Sequence, residues 1–95
     1  MGVLADAEIE QRLTAVPEWR RGDDGASISR EIKLEDFAAA IALVNRVAEL
    51  AEDANHHPDI LVHGWNKVRL TLSTHSQGGL TEADFALAAR VDSLL

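Results

Sequence analysis

The sequence predicts an α+β fold: three helices against one face of a four-stranded antiparallel sheet, in the order α-β-β-α-β-β-α. Three observations carry this. Over residues 34–55 apolar side chains recur at helical spacing. Over residues 67–74, Val68, Leu70 and Leu72 alternate strictly with Lys67, Arg69, Thr71 and Ser73, the period of a strand with one wet face. Between extended runs at 18–21 and 26–33 stands Asp23-Asp24-Gly25, a hairpin signal because glycine tolerates positive φ. Helices covering one face of such a sheet define the α+β class.

The elements follow in order. Residues 6–15 form a short helix with Asp6 as its cap, Ile9, Leu13 and Val16 on one side, and Pro17 as its stop. Trp19 anchors the first strand in the core. In the second strand Ile28 and Ile32 point inward, and Ser27, Ser29 and Glu31 outward. The long helix presents Phe37, Ile41, Val44, Ala48 and Ala51 as its main apolar stripe, with Glu35 and Asp36 in its first turn. A second row, Ala40, Leu43, Val47 and Leu50, makes this surface wider than one sheet covers, so part of it is expected to meet another subunit. Strands at 59–65 and 67–74 follow, then a flexible loop at 76–79. The last helix starts at Thr81, with Thr81 and Asp84 as a capping box, Leu80 and Phe85 as a hydrophobic staple, and Leu87, Val91 and Leu94 on the buried side.

Length and composition bound the function. Ninety-five residues make one domain, 1–95, and an apolar fraction of 46% argues against disorder. A net charge of −7 counts against direct nucleic-acid binding, which needs a basic footprint. No apolar run reaches membrane-spanning length, and the N-terminus lacks a basic, then apolar, leader pattern. With no cysteine there is neither a disulfide nor a thiolate metal site, so a cytoplasmic setting is expected.

The chemistry concentrates where the long helix stops, at Glu52-x-x-x-His56-His57-Pro58. Histidine gives and takes protons near neutral pH, and His56, His57 and His75 all fall at element ends, where rigid platforms can present them to a cleft. If the helix continues to His56, Glu52 shares its face and orients or charges the imidazole. Each residue also has a plainer reading: His56 as a helix cap, His57 as a loop residue, His75 as strand-end filler, Glu52 as solvated surface, Asp84 as a capping-box member and Trp65 as core. A zinc site built from His56, His57, His75 and Asp84 is the sharper alternative, weakened by the lack of helical His-x-x-x-His spacing. His63, within a strand, carries no assigned role.

Glu52-x-x-x-His56-His57-Pro58, then Trp65, Asn66-Lys67-Val68, Leu72-Ser73-Thr74-His75, Gly79-Leu80-Thr81 and Asp84 resemble the pterin-4a-carbinolamine dehydratase family, from about Trp19 onward. The family often has aromatics where Ile32 and Leu34 stand, and the N-terminal helix matches least. The resemblance implies dehydration of a 4a-hydroxytetrahydropterin to quinonoid dihydropterin and water, without a cofactor or metal. It makes His56 and His75 the acid/base pair and His57 the residue that orients the pterin. Glu52, Pro58 and Asp84 support the site, and Trp65 walls the pocket. It also implies a homo-oligomer, dimer or tetramer. The alternative it carries is an interaction module, since some relatives act as dimerisation cofactors of a homeodomain factor through the long helix.

Overall fold

The computed structural model describes residues 2–95. The elements are α1 (Asp6–Leu13), β1 (Arg20–Arg21), β2 (Ile28–Lys33), α2 (Phe37–Ala54), β3 (Asp59–His63), β4 (Lys67–Leu72), a 3₁₀ turn (His75–Gln77) and α3 (Glu82–Asp92). The expected order holds. All strand pairs are antiparallel in one sheet of order β1-β2-β4-β3, which leaves β3 at an edge and β4 inside.

Register sets the two faces. Leu72 lies opposite Ile28 and Val68 opposite Ile32, so these four, with Leu70, form a fully or nearly buried face under the helices. Burying each contributes about 1.5–3 kcal/mol. Glu31 lies opposite Arg69 on the other face, and both are exposed. Trp19 is buried as expected, and its indole N–H donates to Asp92 Oδ1 at 2.8 Å.

Several boundaries differ from the sequence reading, each for a local reason. The cap of α1 is Ala5, not Asp6; Asp6 instead pairs with Arg21 at 2.8 Å. β1 shrinks to two residues because Trp19 N–H closes a turn onto Val16 O at 3.0 Å. α2 starts at Phe37, because Leu34 is held to the β3–β4 turn, its N–H donating to Asn66 O at 2.7 Å. Asp36 is therefore the cap, accepting from Ala39 N–H at 2.8 Å, and Glu35 lies outside the first turn.

The faces of α2 are the larger correction. Ala40, Leu43, Val47 and Ala51 are the buried residues, while Phe37 is 54% and Ile41 38% exposed. The second row covers the sheet and α3; of the expected main stripe, Phe37, Ile41 and Ala48 look outward, while Val44 packs partly against the core and Ala51 is buried. Both rows are apolar, so periodicity alone could not choose between them. The loop at 76–79 is not loose either: Thr74 O accepts from Gln77 and Gly78 N–H at 2.9 and 3.0 Å, and Thr74 N–H donates to Gly79 O at 3.1 Å. At the start of α3 the capping box forms as read, and Leu80 and Phe85 are both buried.

Candidate active site

α2 ends in a left-handed residue, Asn55, at φ 50° and ψ 43°. Asparagine tolerates that region better than most side chains. His56 N–H then reaches back to Ala51 O at 3.0 Å, closing the helix in the Schellman manner. The turn takes His56 off the helix path and points its ring inward. Its side chain is 14% exposed, and Nε2 lies 2.6 Å from Oδ1 of Asp84, which is fully buried.

Asp84 reaches this position because the helix start demands it. It is the third residue of α3, and its Oδ2 accepts from Thr81 N–H at 2.9 Å, the return half of the capping box. Oδ2 also accepts from Thr74 Oγ1 at 2.8 Å. The capping role expected of Asp84 is filled through Oδ2, while Oδ1 meets His56.

His57 turns the other way. Its Nε2 pairs with Glu52 Oε2, and both side chains are more than half exposed. Glu52 was expected to serve His56; the left-handed turn at Asn55 breaks the helical spacing and hands it His57 instead. Pro58, half-buried, sits just before β3, where its missing N–H costs no ladder bond. His75 opens the 3₁₀ turn directly after Thr74, with Nε2 3.3 Å from Ser73 Oγ.

A cleft of about 340 Å³ opens beside His75, bordered by Asp24, Ser27, Asp59, Thr71 and Ser73. His56 and His57 do not line it. The expectation of imidazoles around one hollow is thus met only in part: His75 faces the cleft, and His56 connects to the residue before it through Asp84 and Thr74. Trp65 does not join them. It lies in the β3–β4 turn at φ 58°, is 61% exposed, and is separated from Pro58 by the length of β3, roughly 16 Å. The place given to it as a pocket wall is not met within one chain. Among the described residues no three His, Asp or Glu side chains gather as a metal-ligand group, so the zinc alternative finds no donor set there.

Thr74 and Thr81 are the residues that sequence reasoning left without a site role. The available signal was a hydroxyl directly before His75, and a helix cap whose capping-box partner was also a candidate site residue.

The structure is that of a small α+β protein in which a buried imidazole–carboxylate pair joins the end of one helix to the start of another beside an antiparallel sheet. The chain belongs to the pterin carbinolamine dehydratase family: the family model described as pterin 4 alpha carbinolamine dehydratase matches residues 2–94. That range includes the N-terminal helix, which the motif resemblance left out. A relative from Acidobacterium capsulatum is 50% identical over 95 residues, covering 100% of both chains. One from Nocardia farcinica is 52% identical over 92 residues, covering 97% of this chain and 94% of its own. Both carry the name pterin-4-alpha-carbinolamine dehydratase as a provisional assignment. Among solved structures, a transcriptional coactivator/pterin dehydratase from Brucella melitensis is similar with a TM-score of 0.92, 32% identity and 98% coverage of each chain. A pterin dehydratase-like protein identified as a RuBisCO assembly factor in the alpha-carboxysome is similar with a TM-score of 0.68 and 29% identity, over 81% of this chain and 88% of that one.

Proposed function

We propose that residues 1–95 act as one cytoplasmic enzyme domain that dehydrates a 4a-hydroxytetrahydropterin to quinonoid dihydropterin and water. The observation that carries this reading is the His56–Asp84 pair, at 2.6 Å, tied to Thr74, the residue directly before His75, in a chain of this family. The reaction breaks the C4a–OH bond. One proton goes to the departing hydroxyl, and one leaves the adjacent ring N–H, whose electrons form the new C=N bond. Both transfers suit imidazoles. His56 and His75 are the acid/base pair, and His57, held by Glu52, binds and orients the pterin. The substrate itself supplies the electron push, so no cofactor or metal enters.

The test is spectroscopic. Freshly formed carbinolamine should dehydrate faster with the protein than without it, and a chelator should change nothing. Absence of acceleration by the folded protein would end the reading; stoichiometric metal in active protein would revive the zinc alternative.

A second reading has its own observation. Phe37 and Ile41 leave an apolar row of α2 uncovered, and two structural relatives are named as a coactivator and an assembly factor. We propose that this row meets a second copy of the chain in a dimer or tetramer. Light scattering should give a multiple of 10.3 kDa, and Phe37→Asp should lower it. A non-catalytic interaction module is favoured instead if dehydration is absent and the row captures a foreign helical partner.

A further inference from the structure

We propose that Thr74 is a positioning residue, whose hydroxyl orients Asp84 so that His56 holds its proton on Nε2 and keeps its lone pair on Nδ1. This rests on the dehydratase reading for its catalytic consequence, but not for its geometry. A carboxylate only accepts hydrogen bonds, so the direction of each bond around Asp84 can be followed. Thr74 Oγ1 lies 2.8 Å from Asp84 Oδ2 and must donate to it. Its lone pairs then accept from Thr81 Oγ1, 2.9 Å away. Thr81 Oγ1 in turn accepts from Ala83 N–H at 3.3 Å. The sequence of donors runs one way, from the first turn of α3 through two hydroxyls to the carboxylate.

With Thr81 N–H also on Oδ2 at 2.9 Å, that oxygen carries two fixed donors, and Oδ1 is left to His56 Nε2 alone. Asp84 is fully buried, so water does not compete for Oδ1. An imidazole facing an acceptor-only oxygen at 2.6 Å must present N–H there. In neutral His56 the remaining nitrogen, Nδ1, then carries the lone pair, and no group among the described residues occupies it. Thr74 also closes the turn that begins at His75, through its own N–H and C=O, so a single residue sets the partner of one histidine and the backbone of the other. The hydroxyl is what the first task needs; the second uses only main chain.

The experiment has two arms. Nitrogen NMR of the imidazoles at a pH where His56 is neutral should show the Nε2–H form in the wild-type protein. Thr74→Val, which keeps the shape and removes the hydroxyl, should mix in the Nδ1–H form, and Thr74→Ser should restore the wild-type signature. In the dehydration assay, Thr74→Val should lower kcat on the order of tenfold, with KM within about twofold, and Thr74→Ser should recover most of it. Wild-type protein showing Nδ1–H, or a folded Thr74→Val with unchanged NMR and unchanged kcat, would overturn the proposal. If Thr74→Val does not fold, Thr74→Ala takes its place with the same two readouts. If Thr74→Val mixes the tautomers but wild-type protein shows no dehydration, the proposed function falls and the positioning role stands.

Discussion

Two histidine–carboxylate pairs in this chain have the same length and opposite surroundings. His56 meets Asp84 at 2.6 Å beneath the surface, and His63 meets Glu31 at 2.6 Å on the open face of the sheet. The first pair has side-chain exposures of 14% and 0%; the second has 32% and 43%. Asp84 is fixed by two further donors from the chain, whereas Glu31 is shared with Arg69 at 3.2 Å on a face with no cover. Distance therefore does not separate a rigidly held pair from a loose one. Burial and the count of fixed donors do, because a charge pair in water is screened and its groups can wander, while a buried pair keeps both strength and direction.

The largest expected consequence of that contrast is catalytic. His56→Ala should lower kcat/KM by about 10²–10⁴, the range for removing a positioned acid or base. His75→Ala should cause a loss of similar order, through the cleft it lines. His63→Ala should stay within about twofold, the scatter expected of a screened surface pair. The dehydration assay ranks all three. A large loss at His63 with none at His56 would invert the comparison.

Stability should divide the carboxylates in the same way, with smaller numbers. Asp84→Ala strands Thr81 N–H and the Thr74 hydroxyl and removes half of a capping box, costing about 2–3 kcal/mol in urea denaturation. Asp84→Asn keeps an oxygen for one donor and should cost less, while still disturbing His56. Glu31→Ala should leave the denaturation midpoint where it was.

What could be read from the sequence follows the range of the forces involved. The alternation in β4 and the cap at Thr81 are local patterns, and both hold. The two apolar rows of α2 could not be ordered, because which one is buried depends on where β4 and α3 lie. Glu52 was assigned to His56 by helical spacing, and a single left-handed residue at Asn55 undid that spacing. Trp65 was placed in a strand, but Gly64 and Trp65 both take positive φ in the turn, and a tryptophan gives no warning of that. The candidate residues His56, Asp84 and His75 came from a motif. Thr74, which ties two of them together, acts across a gap of ten residues to Asp84 that no local pattern encodes.

The smallest effect is the sharpest check on how open the second pair is. Glu31 is held below the usual carboxylate value of 4.5, first by its hydrogen bond to His63; desolvation opposes this, and the charges of His63 and Arg69 and a hydrogen bond from Arg69 add to the lowering. A carboxylate depressed in the folded state stabilises the fold above its unfolded value. That contribution is lost as pH falls from about 4.5 through the folded value. Glu31 lies on the solvent-exposed face of the sheet, so the change should be visible in its own carbon NMR titration and not in the denaturation midpoint. His63→Ala should raise the Glu31 midpoint toward 4.5, Arg69→Ala should raise it less, and concentrated salt should erode the charge-borne part of the difference. An equal rise from both variants would mean that charge, and not the hydrogen bond to His63, governs this face.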